Sequence, residues 1–265
     1  MQLERIRRVI ALQAGLLLAG AGGVQAADSY RTQYTVSILG LTIAKSNFDT
    51  KVADGAYDVS GRLSSSGIAK IFDDTDGTVK VNGNVTKSSV VPAAFDLNYK
   101  HGKKDKRTSI GFAQGAVVRT ENVPPLKKRN DRVPFGPDDL KSVADPLTAL
   151  MIAAPNAGTV CDRTLRIFDG EMRFDLKMAY SGKQPFSLGA YKGDAVICSA
   201  EFVPVSGYPS RRKSIQQLKS SRISVSFASL GDSGIYAPVV AKIGTAIGTV
   251  TVQATRFEAI GQGTD

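Results

Sequence analysis

The feature that most constrains this chain is alternation of apolar and polar residues at a period of two, in short runs separated by glycine-containing turns. In Tyr30-Arg31-Thr32-Gln33-Tyr34-Thr35-Val36-Ser37-Ile38, the residues Tyr30, Tyr34, Val36 and Ile38 share one face of an extended chain. Successive side chains of a strand point to opposite faces, so this pattern makes a half-buried strand. Leu39-Gly40 turns the chain into Leu41 to Val52, and Asp54-Gly55 turns it into Ala56 to Leu63. Asp-Gly is a strong hairpin signal because both residues tolerate positive φ. The chain opens as an antiparallel meander.

Strands are expected next at Thr78 to Val81, Val85 to Val91, Ala94 to Lys100, Arg107 to Phe112 and Ala116 to Thr120. The clearest hairpin is Thr164 to Phe168, the turn Asp169-Gly170, and Glu171 to Leu176, where Leu165, Ile167, Met172, Phe174 and Leu176 alternate with polar and charged residues. Ala195 to Val203, Arg222 to Ala228, Val239 to Ile243 and Thr249 to Phe257 complete the set. A helix is expected over Asp145 to Ala153, capped by Asp145 with Pro146 in its first turn, and weaker ones over Ser66 to Phe72 and Arg211 to Leu218. Val123 to Pro137, rich in proline and carrying Lys127-Lys128-Arg129, reads as an exposed loop or lid. Roughly a dozen strands cannot stay flat, because sheets twist and long ones curl. The expected fold is therefore all-β with one to three short helices: a single strongly curved antiparallel sheet, half-barrel or barrel-like. Its inner face either fills itself or leaves a cavity for an apolar ligand.

Residues 1–26 read as a secretory signal. Arg5, Arg7 and Arg8 precede an apolar run from Val9 to Leu18, and Val24-Gln25-Ala26 presents small residues at −3 and −1, placing the cut between Ala26 and Ala27. The run is shorter than the roughly 20 residues that span a bilayer. Residues 27–265 are then one β-rich domain in the periplasm. Losing three Arg and Glu4 with the signal lowers the formal charge from +10 to +8.

The composition is that of a folded protein, with 42% apolar and 22% charged residues. One His and two Cys exclude three-His zinc sites, Cys2His2 fingers and four-thiolate clusters. No metal site and no cofactor are expected. In an oxidising compartment Cys161 and Cys198 most simply form one disulfide, because redox chemistry normally needs a Cys-x-x-Cys pair or an activated lone thiol.

Other motifs weaken on inspection. Gly231-Asp232-Ser233-Gly234 resembles a serine-protease nucleophile turn, but the only His is His101, in a basic turn between strands, so no catalytic residue is assigned. Asp73-Asp74-Thr75-Asp76-Gly77 suggests a calcium loop, but the helix-loop-helix register puts Phe72 and Gly83 at ligand positions. Gly244-Thr245-Ala246-Ile247-Gly248 has membrane-helix spacing without an apolar span around it and reads as a β bend. There is no phosphate-binding glycine loop followed by Lys-Ser/Thr and no dinucleotide fingerprint.

Three basic clusters remain: Lys103, Lys104, Lys106 and Arg107; Lys127, Lys128 and Arg129; and Arg211, Arg212 and Lys213. Clustered cations attract polyanions. An exported protein without aromatic-rich recognition motifs has no evident use for nucleic acid, so an anionic membrane surface or acidic cell-wall polymer is the natural partner, and a merely solvated surface is the plain alternative.

The run from Cys161 to Leu176, with its Phe168-Asp169-Gly170 turn, and the opening strands from Tyr34 to Asn47 resemble a family of exported bacterial proteins known only as domain of unknown function 3108. The resemblance implies an all-β envelope protein and supplies no catalytic residues. The chain is also loosely similar to bent-sheet periplasmic proteins of the lipoprotein-carrier type. The expected function is binding of an apolar or amphipathic envelope component, such as a lipid or lipoprotein-like ligand, or of an envelope partner protein, on a curved sheet. The alternative is a cell-wall glycan or peptide hydrolase whose carboxylates only the fold brings together.

Overall fold

The computed structural model describes residues 28–67 and 74–260. Residues 1–26, the expected cut at Ala26/Ala27, Asp73 and most of the weak helix over Ser66 to Phe72 lie outside them. Seven strands run first: β1 (Asp28–Ile38), β2 (Leu41–Ala53), β3 (Ala56–Ser65), β4 (Thr75–Val85), β5 (Val90–His101), β6 (Lys104–Ala113) and β7 (Ala116–Val123). After a long connection come β8 (Ile152–Ala153), β9 (Arg163–Phe168), β10 (Arg173–Leu188), β11 (Tyr191–Ser206), helix α1 (Lys213–Lys219), β12 (Ile223–Ser229), β13 (Ile235–Thr245) and β14 (Gly248–Ile260). All fourteen strands belong to one antiparallel sheet in the order β7-β6-β5-β4-β3-β2-β1-β14-β13-β12-β11-β10-β9, with β8 paired to β13.

Two meanders thus become one sheet where β1 pairs with β14, from Ser29 opposite Ile260 to Ile38 opposite Val250. The alternation behind the strands is visible in burial: Tyr57 and Val59 on β3, Val79 and Val81 on β4, and Ile110 and Phe112 on β6 are buried, with more exposed residues between them. Gly61 makes room for a neighbour, since a Cβ there would lie 2.4 Å from the Phe48 ring. Tyr34 on β1 donates to the Pro238 carbonyl on β13 at 2.8 Å, and burial pushes its phenol up to about 12.

The sheet is not a closed barrel. Its edges, β7 and β9, do not pair with each other; both bond to the connection between the meanders. Val117 N–H donates to Leu140 O (3.0 Å) and Val143 N–H to Gly115 O (3.1 Å) on the β7 side, while Ala144 N–H donates to Arg166 O and Phe168 N–H to Ala144 O, each 2.9 Å, on the β9 side. An open edge would otherwise present unpaired donors and acceptors. Buried Arg173 of β10 donates to Asp139 O at 3.0 Å, and Arg166 of β9 donates to Asp138 O at 3.0 Å.

The same connection fills the interior. Val143 packs in one apolar cluster with Tyr57, Phe95, Ile110 and Phe168; Ala149, Ile152 and Ala154 pack in another with Ile167, Met178, Val196 and Phe227. The helix expected over Asp145 to Ala153 is not formed. Asp145 does cap the turn, accepting from Leu147 N–H and Thr148 N–H at 3.0 Å, but only a 3-10 turn at Thr148–Leu150 follows. Met151 is extended, and Ile152 and Ala153 pair with Tyr236 and Ile235 of β13, so ladder bonds replace the helical ones. Another correction concerns Val85 to Val91. That run is not one strand: Val85 ends β4, Val90 and Val91 open β5, and the chain reverses between them in a turn closed by Thr86 N–H to Ser89 O at 2.8 Å.

Sulfur atoms of Cys161, just before β9, and Cys198 on β11 stand at disulfide-bonding distance, with Cα atoms 5.6 Å apart. Both side chains are buried. Opening this pair by Cys161→Ser/Cys198→Ser is expected to lower unfolding free energy by about 4 kcal/mol on the loop-entropy model, read from urea denaturation; thiol titration of the unfolded wild type should find no free sulfhydryl.

Asp145 supplies a pH prediction. Its side chain is fully buried, Oδ2 has no hydrogen-bond partner, and burial raises its pKa above the usual carboxylate range. A carboxyl with a raised folded-state pKa favours the protonated form on folding, so its contribution is largest below the unfolded value near 3.9 and is lost as pH rises through the folded value. Asp145→Asn, which keeps the capping oxygen, should therefore gain stability over wild type at pH 8, with the gap narrowing towards pH 4. Asp145→Ala loses the cap as well and should fall about 1 kcal/mol or more below Asp145→Asn at every pH.

Candidate functional site

Antiparallel register sorts the turns into two ends of the sheet. One end holds the β1–β2, β5–β6, β9–β10 and β13–β14 turns, the start of the β7–β9 connection, the β11–β12 connection with α1, and the close of the β3–β4 connection, where the Asp74 carbonyl accepts Gly102 N–H at 3.0 Å and brings one acidic residue among the cations. The hairpin turns at the other end carry Lys87 against Asp54 and Asp232. All three basic clusters fall at the first end, together with Arg132, Lys219 and Arg222.

Backbone bonds bring two of the clusters side by side. Val133 N–H donates to Tyr208 O (2.9 Å), Gly207 N–H to Val133 O (2.8 Å) and Ser210 N–H to Asp131 O (2.8 Å), which zips the loop carrying Lys127-Lys128-Arg129 to the segment before Arg211. The third cluster joins through β6. Thr108 donates to Asn122 Oδ1 at 2.8 Å, and Asn122 Nδ2 donates to the Gly170 carbonyl at 2.9 Å, tying the end of edge strand β7 to the β9–β10 turn.

The result is a groove of about 700 Å³. Lys106, Arg107, Lys127, Arg129, Arg132, Arg211 and Arg212 line it, with Leu97, Tyr99, Val123, Pro124, Pro125 and Leu126 as an apolar wall and Asp131, Asp169 and Glu171 as its acids. The acids are engaged. Asp131 pairs with Arg129 at 2.9 Å, which holds its carboxyl below the usual range, and Glu171 pairs with Arg132 at 2.7 Å. Burial pushes the Asp169 carboxyl up, while Asp169 Oδ1 accepts Glu171 N–H (2.9 Å) and Met172 N–H (2.7 Å) within its own turn. Arg107 is held by Glu121 at 2.6 Å. Lys127 and Arg212 form no ion pair among the described residues, and the Lys106 ammonium stands 5.5 Å from the centre of the Tyr99 ring.

Lys103, Lys104, Lys128 and Lys213 are exposed at the same end without lining the groove. No sequence pattern marks Arg132, Asn122, Asp169 or Glu171 as site residues; the Phe168-Asp169-Gly170 turn is the one sequence signal near them. Ser233 and His101 lie at opposite ends of the sheet. Ser233 instead donates to Leu230 O at 2.6 Å and accepts Ile235 N–H, as a turn residue does. Thr75, Asp76 and Gly77 of the acidic stretch are part of β4. Among the described residues no group of three or more His, Cys, Asp or Glu is placed to hold a metal ion, and no helix is long and apolar enough to cross a membrane.

A family model described as a protein of unknown function, DUF3108, matches residues 31–255. The chain belongs to the DUF3108 family. No curated protein matches it. Among solved structures, this DUF3108 chain is similar to a beta-barrel-like protein of domain of unknown function DUF1849 from Brucella abortus, at 10% sequence identity and a TM-score of 0.55, over 88% of this chain and 98% of that one. At that identity the likeness is one of fold.

The groove depends on a backbone contact that a side chain would break. Gly207 has φ +78, and a Cβ there would lie 2.2 Å from the Glu171 carbonyl oxygen and 2.7 Å from the Phe135 ring. Gly207→Ala is expected to lower stability by roughly 1–3 kcal/mol in the DUF3108 chain through left-handed strain and this clash, measured as a drop in thermal midpoint accompanied by faster amide exchange at Val133 and Ser210.

Proposed function

We propose that this protein is an exported, non-enzymatic binding protein of the cell envelope, and that it holds an amphipathic anionic envelope component with its charged head among the groove cations. The convergence of three basic clusters on one groove carries the reading, because residues as far apart as Lys106, Lys127 and Arg212 meet there beside an apolar wall. Cations in a concave site focus potential and strengthen anion attraction, and the wall of Leu97, Val123, Leu126 and prolines suits an acyl or other apolar portion. Export is supported by the pattern of residues 1–26 and by the Cys161–Cys198 pair.

The ligand position differs from the expected concave face. The connection occupies the interior with Val143, Leu147, Ala149 and Ile152, whereas the groove lies at the strand ends. The barrel-like curvature remains part of the proposal, supported by two edge strands that bond to one segment. The hydrolase alternative finds less support, since the groove acids are engaged with Arg129, Arg132 and the Asp169 turn.

Titration calorimetry with short-chain phosphatidylglycerol tests the reading. Wild type should bind it more tightly than phosphatidylcholine of the same chain length or inorganic phosphate, and affinity should fall with added salt. Lys127→Ala/Arg212→Ala should weaken binding at least tenfold, since each cation near an anionic surface is worth about 1 kcal/mol. Equal affinity for the neutral lipid, or no loss in the double variant, would remove the proposal.

A further inference from the structure

Among the described residues the two most exposed large aliphatic side chains, Leu39 and Ile247, stand in neighbouring turns with Leu41 beside them, while the next most exposed, Val118 (65%), lies apart on β7. Leu39 (75% exposed) and Leu41 (54%) flank Gly40 in the β1–β2 turn, and Ile247 (71%) is in the β13–β14 turn. Because β1 pairs with β14, with Ile38 opposite Val250, the two turns are neighbours. Leu39 reaches across, so that a Cβ on Gly248 would lie 2.7 Å from Leu39 Cδ2.

Turn geometry does not account for Leu39. Leu39 and Gly40 have φ of 50° and 78°, the left-handed pair that favours Asn-Gly or Asp-Gly, and leucine is a poor choice there. An aliphatic side chain held in solvent at such a position meets a requirement other than folding. Its surroundings supply one. The turns stand at the strand end that carries the basic clusters, and Arg222 and Lys242, exposed and in no ion pair among the described residues, line a depression of about 510 Å³ beside Thr245 and Ala246.

We propose that the β1–β2 and β13–β14 turns dip Leu39, Leu41 and Ile247 into the surface of an anionic phospholipid bilayer, with Arg222, Lys242 and the basic loops of the same end against the headgroups. Apolar side chains ringed by cations are the chemistry of reversible interfacial attachment, in which neither contribution suffices alone. The charge difference between the two ends of the sheet sets the orientation: strands stand end-on, with the Asp54 and Asp232 turns away from the lipid. This docking is independent of what fills the groove, since the turns belong to β1, β2, β13 and β14.

The chain contains no tryptophan, so Ile247→Trp provides a single reporter. With vesicles of equal parts phosphatidylglycerol and phosphatidylcholine its emission should shift to the blue and be quenched by brominated acyl chains, with neither change on phosphatidylcholine alone. Lys87→Trp, at the opposite end, should stay unshifted. In flotation, Leu39→Asp/Ile247→Asp should lower partitioning onto anionic vesicles at least tenfold while leaving the thermal midpoint and phosphatidylglycerol titration of the groove unchanged; Asp suits the left-handed position 39 better than Leu. A tryptophan at 247 that does not respond to anionic vesicles, a double variant that floats like wild type, or a wild type that does not float overturns the proposal, whether or not the groove binds its probe.

Discussion

The ladder between β1 and β14 is the contact on which the rest of the structure depends. It pairs residues more than two hundred positions apart, from Ser29 with Ile260 to Ile38 with Val250, and converts two local meanders into one sheet. Every other strand pairing on the main path is between sequence neighbours. Loop-closure entropy makes this long-range pairing the costly step, while each meander gains its bonds locally. Once it forms, it also places the Leu39 and Ile247 turns side by side.

Joining the meanders leaves β7 and β9 as free edges, and the connection from β7 to β9 satisfies them. Its backbone bonds to Gly115 and Val117 on one side and to Arg166 and Phe168 on the other, while Arg166 and Arg173 hold its carbonyls. Its apolar residues enter the clusters that the strands leave open. The cost is a fully buried carboxylate, Asp145, whose cap to Leu147 and Thr148 orients the turn beneath the Tyr57–Thr148 hydrogen bond of 2.7 Å. Edge protection and core filling are thus performed by one segment with little regular structure.

Chemistry is concentrated at one end of the strands. An antiparallel meander returns to each end every second turn, so residues far apart in sequence are collected there. Basic loops, an amphipathic groove and two aliphatic hairpin tips share that end, and the opposite turns are short and nearly neutral. The groove and the tips lie on different strands, so the proposed ligand capture and the proposed surface attachment rest on separate parts of the same end.

Much of the fold was legible in the residues because strand formation and tight turns are local. Period-two alternation placed most strands; Asp54 and Gly55 both take the left-handed φ that an Asp-Gly hairpin turn needs, whereas at Asp169-Gly170 only Gly170 does, in a wider turn that runs to Met172. The basic clusters were equally visible, as was a cysteine pair suited to one bridge. Local pattern failed where tertiary contacts override it: Asp145 to Ala153 has helical spacing, yet pairing of Ile152 and Ala153 with β13 and burial of Asp145, Thr148, Ala149, Ile152 and Ala153 select a single 3-10 turn followed by extended chain. Val85 to Val91 is apolar at both ends but folds back at Thr86 to Ser89, and β10 continues through Lys177 to Leu188, where its polar residues are supported by pairing with β11. What the sequence by itself determined is a chain of antiparallel strands with three cationic loops. Only the tertiary structure decided that those loops share an end, that Arg132, Asn122 and the Asp169 turn complete the groove, and that the interior is filled by its own connection, because each of these follows from the long-range register and from which edges were left to cover.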